Sequence, residues 1–497
     1  MENKQQWGSR LGFILAAVGS AIGLGNIWRF PYMVYENGGG AFLIPYFVAL
    51  LTAGIPIMIM EFSLGHKSRV GAPLTFYRIN KKWEILGWVQ TGVSAVIAVY
   101  YVAVVAWSFS YMGFSLSSAW GSEPADFFLN DYLAISSGPF ELGGLQPAIL
   151  LTIVIAWFFN FLASYGGVQK GLERANKILM PVLILMLLVV VARAVTLPGA
   201  VHGLEILFKP DFSKILDPQV WIAAYGQIFF SLSIAFAIML TYSSYLPKKS
   251  DIVNNAFMTA LLNCGFSILA GIAIFSIIGF MEYQAGGTLP EKMAGVFLAF
   301  VTLPSAITQL PGLNALIGVL LFLTLAFAGL SSFISINEVV VRSIVDKFNI
   351  PRRKVSVYYT LIAGAVSLLF ATGAGLHILD MVDYYINNYG IVLAGLVEVI
   401  LLGWFFKLSS LREHANLTSD FKIGKWWDVM IKFVTPLVLG INSILKFIND
   451  VQNNYSGYST AAQFVFGWGL LAALIVTAVL IARTKWSGLT AQSEGGL

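Results

Sequence analysis

The sequence predicts an all-helical integral membrane protein with about twelve transmembrane helices, and three observations carry that prediction. Hydrophobic residues make up 58% of the 497 and charged residues 11%, with a mean hydropathy of +0.78; soluble domains are typically about 25% charged. Apolar segments of roughly 20 residues, long enough to cross a bilayer core, recur from end to end. Lys and Arg gather in alternate connections, as they do in cytoplasmic loops.

The spans fall near 11–36, 40–64, 88–117, 147–165, 174–196, 219–244, 256–280, 313–343, 356–373, 379–406, 428–448 and 461–482. The first is interrupted by GSAIGLGNIWRFP, in which Gly19, Gly23, Gly25, Asn26 and Arg29 sit where a membrane helix is normally smooth. An interior glycine costs a helix roughly 1 kcal/mol relative to alanine, and a buried arginine roughly 3 kcal/mol on the lenient insertion scale. Irregular backbone at membrane depth survives only where it lines a cavity or is buried in protein, so this stretch reads as a binding site. Glu61 lies late in the second span, Gln227, Ser231 and Ser233 in the sixth, and Asn263 and Ser267 one turn apart in the seventh. Ser331, Ser332 and Ser335 interrupt the eighth, and Asp383 and Glu398 fall in the tenth. Such groups are functional candidates or helix–helix packing contacts, and packing suffices for Ser335. The polar stretches 118–146 and 283–311 are read as loops, and no soluble domain is expected.

Orientation follows from the basic residues. One side receives Lys4, Arg10, Lys67, Arg69, Lys81, Lys82, Lys170, Arg174, Lys177, Lys248 and Lys249. Arg352, Arg353, Lys354, Lys407, Arg412, Arg483 and Lys485 join them there, whereas 118–146 holds four acids and no Lys or Arg. Both termini are therefore expected in the cytoplasm. The net charge of +5 is accounted for by these loops and calls for no nucleic-acid partner. Cys264 is the only cysteine, which excludes an internal disulfide. The first apolar run is too long and Gly-rich for a signal peptide.

The intramembrane groups supply hydroxyl, amide and carbonyl oxygens with few charges, a set suited to a weakly held monovalent cation. No HExxH, GxSxG or nucleotide-binding glycine loop is found, so an enzyme or an ATP-driven pump is not expected. A transporter or a channel remains.

The stretches RLGFILAAVGSAIGLGNIWRFPY (10–32), ENGGGAFLIPYF (36–47), MEFSLG (60–65), WIAAYGQIFFSLSIAFAIMLTYSSY (221–245), AGLSS (328–332) and LDMVDYY (379–385) resemble the neurotransmitter:sodium symporters, in the family's order along the chain. The resemblance implies a core of two inverted five-helix repeats, with helices 1 and 6 broken at the midplane. That core would occupy 1–407, and two further helices with a tail would occupy 408–497. The glycines of the first helix agree with a break. The sixth has no Gly or Pro in SLSIAFA (231–237) and reads by itself as continuous.

The resemblance also implies a ligand set. One sodium would be held by the Ala21 carbonyl, Asn26, Ser231, Asn263 and the substrate carboxylate. A second would be held by carbonyls of Gly19, Ile22 and Ala328 with the hydroxyls of Ser331 and Ser332. Substrate would contact Ala21, Gly23, Leu24, Gly25, Ile97, Tyr101, Phe230, Ser231, Ser233, Phe236, Ser332 and Ile336. Relatives that carry biogenic amines have aspartate where this chain has Gly23, so a neutral amino acid is expected. Ile97, Phe236 and Ile336 make an apolar side chain fit best.

Chloride-independent bacterial members place glutamate where this chain has Ser267. With Tyr46, Gln227 and Ser231, that serine implies a chloride site and chloride dependence. Arg29 and Asp383 would form the outer gate, and Lys4, Trp7, Ser244, Tyr245 and Asp346 the inner one. Lys4 stands where arginine is frequent. A channel or sensor using the same pocket is the alternative from another class, and Glu61 is the one plausible carrier if protons are coupled. The 118–146 loop is short and lacks a glycosylation sequon, which points to a prokaryotic plasma membrane.

Overall fold

The computed structural model describes residues 5–287 and 295–487. Among the described residues the chain is helical, with only two isolated β-bridges. The first span is a pair of half-helices, Arg10–Ala21 and Leu24–Glu36, bent by 52° at the break. The second and third spans are Gly40–Ser68 and Lys81–Phe114.

Next comes an apolar helical stretch, Pro147–Ala194, of 48 residues. At 1.5 Å per residue a straight rod of that size would run about 72 Å, more than twice a bilayer core. It folds back instead at Gly167, whose φ of +75° suits only a residue without a Cβ, and so supplies the fourth and fifth spans. Close approach follows at Gly171, where a Cβ would lie 1.8 Å from the Ala163 carbonyl oxygen.

The sixth span is again two pieces, Pro218–Ser231 and Ile238–Ser243. The remaining spans are Ile252–Gln284, Asn314–Phe348, Arg352–Ala371, Gly375–Phe405, Lys425–Gly457 and Thr460–Arg483. Burial grades sharply among them. The most apolar windows of the seventh and eighth are 72% and 78% buried, those of the eleventh and twelfth only 22% and 17%. The last two helices therefore present most of their surface outward, where lipid would satisfy it.

Two features depart from the sequence reading. Part of 283–311, expected as a loop, is the apolar helix Gly295–Gln309. Its Phe300 packs against Tyr111, Phe128 and Phe322 at ring distances of 5.0, 5.5 and 6.1 Å. The helix is too short to span and so escapes a 20-residue test. The sixth helix is broken where its residues alone suggest continuity. Ser233, Ala235 and Ala237 have φ of +52°, +73° and +67°, a conformation that costs an L-residue roughly 1–2 kcal/mol. Neighbouring helices offset that cost: the Ala235 N–H donates to Glu61 Oε1 at 2.6 Å, and Ser94 Oγ donates to the Phe236 carbonyl at 2.9 Å.

Both described ends lie on one face. Trp7 N–H donates to the Tyr245 carbonyl at 3.1 Å, and Trp486 Nε1 donates to Glu84 Oε2 at 3.1 Å. Arg342 ties the two places together, lying over the Tyr245 ring and pairing with Asp346 beside Lys347, which bonds Glu84. We call this the terminal face and the opposite one the distal face.

Candidate functional site: a cavity between two broken helices

Two half-helix ends meet at the break of the first span. Ala21 ends one helix and leaves carbonyls without helical partners; Leu24 and Gly25 begin the next and leave N–H groups without them. The broken sixth span faces this break, and between them lies a cavity of about 570 Å³. Every residue expected to touch substrate lines it: Ala21, Gly23, Leu24, Gly25, Ile97, Tyr101, Phe230, Ser231, Ser233, Phe236, Ser332 and Ile336. The Tyr101 hydroxyl reaches the Leu24 N–H and the Ser332 hydroxyl, at the helix end where an anionic group would sit. Ser233 Oγ donates to the Ser20 carbonyl at 2.8 Å and ties the two breaks together. Gly25 is packed so closely that a Cβ would fall 2.2 Å from Phe230 Cε1.

A cluster of oxygens lies beside the cavity. Ser331 Oγ is 2.6 Å from the Gly19 carbonyl and 3.0 Å from that of Ala328. Ser332 Oγ has four carbonyl oxygens around it: Gly19 at 3.4 Å, Ser20 at 3.1 Å, Ile22 at 3.2 Å and Ala328 at 3.2 Å. A hydroxyl has one proton to give, so such a cluster holds more acceptors than donors. Such a surplus of buried acceptors suits a hard cation.

A second cluster is built on side-chain amides. Asn26 Nδ2 lies 2.9 Å from Asn263 Oδ1, 2.8 Å from Ser267 Oγ and 3.2 Å from Ser231 Oγ. Asn263 Nδ2 donates to Ser231 Oγ at 2.7 Å, and Asn26 Oδ1 accepts the Gly23 N–H at 3.0 Å. Ala21 lies at the adjoining helix end. One turn before Ser231 stands Gln227, fully buried, with neither amide atom hydrogen-bonded to the protein. Tyr46, equally buried, donates to Cys264 Sγ at 3.2 Å and lies within reach of Ser267. Leaving buried polar atoms unpaired costs about 1–3 kcal/mol each. The donor set of Tyr46, Gln227, Ser231 and Ser267 suits a small anion, which would pair the free amide.

The cavity is open toward the distal face and closed toward the terminal one. Its walls continue past Asp383 and Asn387 to His377 and to Ser456 and Tyr458, in the connection between the last two spans. Arg29 and Asp383, expected as a gate pair, make no ion pair within 4.0 Å; Arg29 lies over the Phe230 ring at 4.4 Å. Asp383 is bonded to Tyr100 instead.

On the terminal side, Trp7 is 3% exposed, donates from Nε1 to the Tyr242 carbonyl at 2.8 Å and packs edge-on against Tyr242. Tyr245 donates to Glu338 at 2.6 Å, and Arg352 grips the same carboxylate with both terminal nitrogens. Asp346 accepts from Arg342 at 2.9 Å and from the Gly71 N–H at 2.7 Å. Ser244 turns back to the Thr241 carbonyl at 2.7 Å rather than joining this network. Lys4 lies outside the described residues.

The sequence reading passed over Glu338 and Arg342 and took Arg352 only as an orienting loop charge. Glu338 sits inside the apolar run of the eighth span and carries the same signal, a charge at membrane depth, that singled out Glu61. Tyr100 and the tip of the last hairpin were also missed, the tip because its cue is only spatial.

Comparison with known proteins agrees with this architecture. A model of the sodium:neurotransmitter symporter family matches residues 4–123 and 118–488. An uncharacterized sodium-dependent transporter from the archaeon Methanocaldococcus jannaschii is 43% identical over 483 residues, covering 97% of this chain and 98% of that protein. The chain thus belongs to the sodium:neurotransmitter symporter family, whose members are membrane transporters coupled to sodium.

Proposed function

We propose that the protein is a sodium-coupled, chloride-dependent symporter of a neutral amino acid with an apolar side chain, working by alternating access in a prokaryotic plasma membrane with the terminal face in the cytoplasm. The observation that carries the reading is the crowd of four carbonyl oxygens around the Ser332 hydroxyl, at the edge of the cavity. Acceptors in that number favour a cation there. Gly19, Ile22, Ala328, Ser331 and Ser332 would hold one sodium. Ala21, Asn26, Ser231 and Asn263 would hold the other, together with the substrate carboxylate.

The same carboxylate would take the helix N-terminus at Leu24–Gly25 and the Tyr101 hydroxyl. A cation about 4 Å from it, at an effective dielectric near 20, attracts it by about 4 kcal/mol. Linkage then makes sodium and substrate tighten each other. The substrate amine is left to carbonyls at the half-helix C-termini, since no acid replaces Gly23. Two sodium ions and a zwitterion leave net positive charge in a dry site, and an anion on Gln227, Tyr46, Ser231 and Ser267 offsets it. Opening of the terminal side would require Trp7 to leave Tyr242 and Tyr245 while Arg29 and Asp383 close the distal side.

Equilibrium binding of labelled amino acids to the purified protein tests this. Leucine-like substrates should bind in sodium chloride, weakly in sodium gluconate and not in potassium chloride. Binding that ignores sodium contradicts the proposal, and binding that ignores chloride removes its anion component.

A further inference from the structure

Asp383 is the acid of the expected distal gate, yet in this open arrangement its partners are not cationic. Tyr100 Oη donates to its Oδ1 at 2.7 Å. Asn387 Nδ2 donates to the same oxygen at 2.8 Å and to the Asp383 carbonyl at 2.8 Å. Tyr100 and Asn387 both line the cavity, and Asn387 lies in the widened turn Ile386–Ile391, a local irregularity of the kind that gathers at functional sites. Arg29, the gate cation, rests over the Phe230 ring at 4.4 Å.

Each charge of the gate thus has a substitute partner, a phenol and an amide for the carboxylate and an aromatic face for the guanidinium. Hydrogen bonds to ionised groups are stronger than neutral ones, and cation–π contacts hold a desolvated guanidinium. A contact shifts a two-state equilibrium only by the difference it makes between the states. When the gate is open, Tyr100 and Asn387 are the side chains that hydrogen-bond the Asp383 carboxylate. When it is closed, Arg29 pairs with that carboxylate, and the same two bonds matter less.

We propose that Tyr100 and Asn387 are positioning residues that hold the distal gate open by stabilising Asp383 while Arg29 is not paired with it. The proposal rests on reading Arg29 and Asp383 as the gate. It gives adjacent residues of the third helix two tasks: Tyr101 faces the substrate and Tyr100 sets the readiness of the gate above it. Residues 100–101 would then relay occupancy to closure without any change of helix register.

The test reads gate position without any amino acid present. Ile97→Cys places a thiol in the cavity one turn below Tyr101, and a membrane-impermeant maleimide is applied from the distal side in sodium chloride. The native Cys264, buried at 1% exposure, gives the background in the parent protein. Tyr100→Phe keeps the ring and removes one charge-assisted bond, so alkylation should slow about tenfold. Asn387→Ala should slow it in the same direction and serves if Tyr100→Phe does not fold. With Arg29→Ala as background the closing partner is gone, and neither substitution should slow alkylation.

Unchanged or faster alkylation in folded Tyr100→Phe and Asn387→Ala overturns the proposal. So does slowing that persists without Arg29, which would mark a purely structural contact. Failure of the amino-acid reading would leave these rates untouched and appear only in the binding assay.

Discussion

Ser332→Ala is the sharpest probe of the oxygen cluster. The substitution removes a hydroxyl that lies 3.1 to 3.4 Å from four carbonyls and leaves the eighth helix otherwise intact. Ser332 is 6% exposed and its neighbour Ser331 is fully buried, so water does not freely replace the lost oxygen. An interaction with a charged group in such a place is worth about 1.5–3 kcal/mol. At 1.4 kcal/mol per tenfold, the sodium dissociation constant should rise by about ten- to a hundredfold. Ser331→Ala, which removes contacts of 2.6 and 3.0 Å, should act in the same range.

Linkage extends the effect. Substrate affinity measured at a fixed, subsaturating sodium concentration should fall with sodium affinity, and both should recover toward the parent values at saturating sodium. The assay is equilibrium binding of sodium and of labelled amino acid to the detergent-purified protein. If both alanine variants bind sodium as the parent does, the cluster is not a cation site and the reasoning from surplus acceptors fails. If substrate affinity falls while sodium affinity stays constant, the hydroxyl serves the substrate alone.

Three further outcomes follow from the same geometry. Gly25→Ala puts a methyl 2.2 Å from Phe230 Cε1 and 2.9 Å from Cδ1, so overpacking of about 1–3 kcal/mol should appear as lost substrate binding, read by titration, with a lowered Tm. Ser267→Glu places a fixed negative charge beside Asn26 and should make binding equal in chloride and gluconate; persistent chloride dependence would count against the anion site. Acid should destabilise the fold at the pair His66 and His414, whose ring nitrogens lie 2.9 Å apart. His66 Nε2 faces the Pro247 carbonyl, a pure acceptor, so Nδ1 accepts and His414 donates.

For His414, burial first, then His66 and Lys67, lower its pKa from 6.5 to about 4. The neutral form is the folded one, so its stabilising contribution is full above pH 6.5 and is lost as the pH falls toward about 4. Melting temperatures of the parent should drop across that window more than those of His414→Gln, and parallel curves would refute the assignment.

The parts of the site that were legible in the sequence are those where composition and conformation agree. The first helix advertises its break through glycines and an arginine within the apolar run, and the structure bends it by 52° at that place. Its sixth partner conceals the break, because Ser233, Ala235 and Ala237 adopt left-handed backbone that tertiary contacts from Glu61 and Ser94 impose. No local propensity announces a conformation enforced from two other helices. That these residues would line one cavity was readable through resemblance, since motif order carries spatial arrangement that spacing alone does not. Glu338 was readable by its charge and was overlooked. Tyr100 and the hairpin tip at Ser456 and Tyr458 meet the cavity through neighbours distant in sequence, and Asn387, one turn from Asp383, carries no local mark of its place on the cavity wall.

Sodium-gradient-driven uptake tests the central claim most directly. Proteoliposomes containing the purified protein, loaded with potassium chloride and diluted into sodium chloride, should accumulate a labelled neutral amino acid above its external concentration. Collapse of the sodium gradient should release it. Equilibration that stops at the external concentration, with or without a sodium gradient, would contradict coupled transport and favour a channel or a sensor.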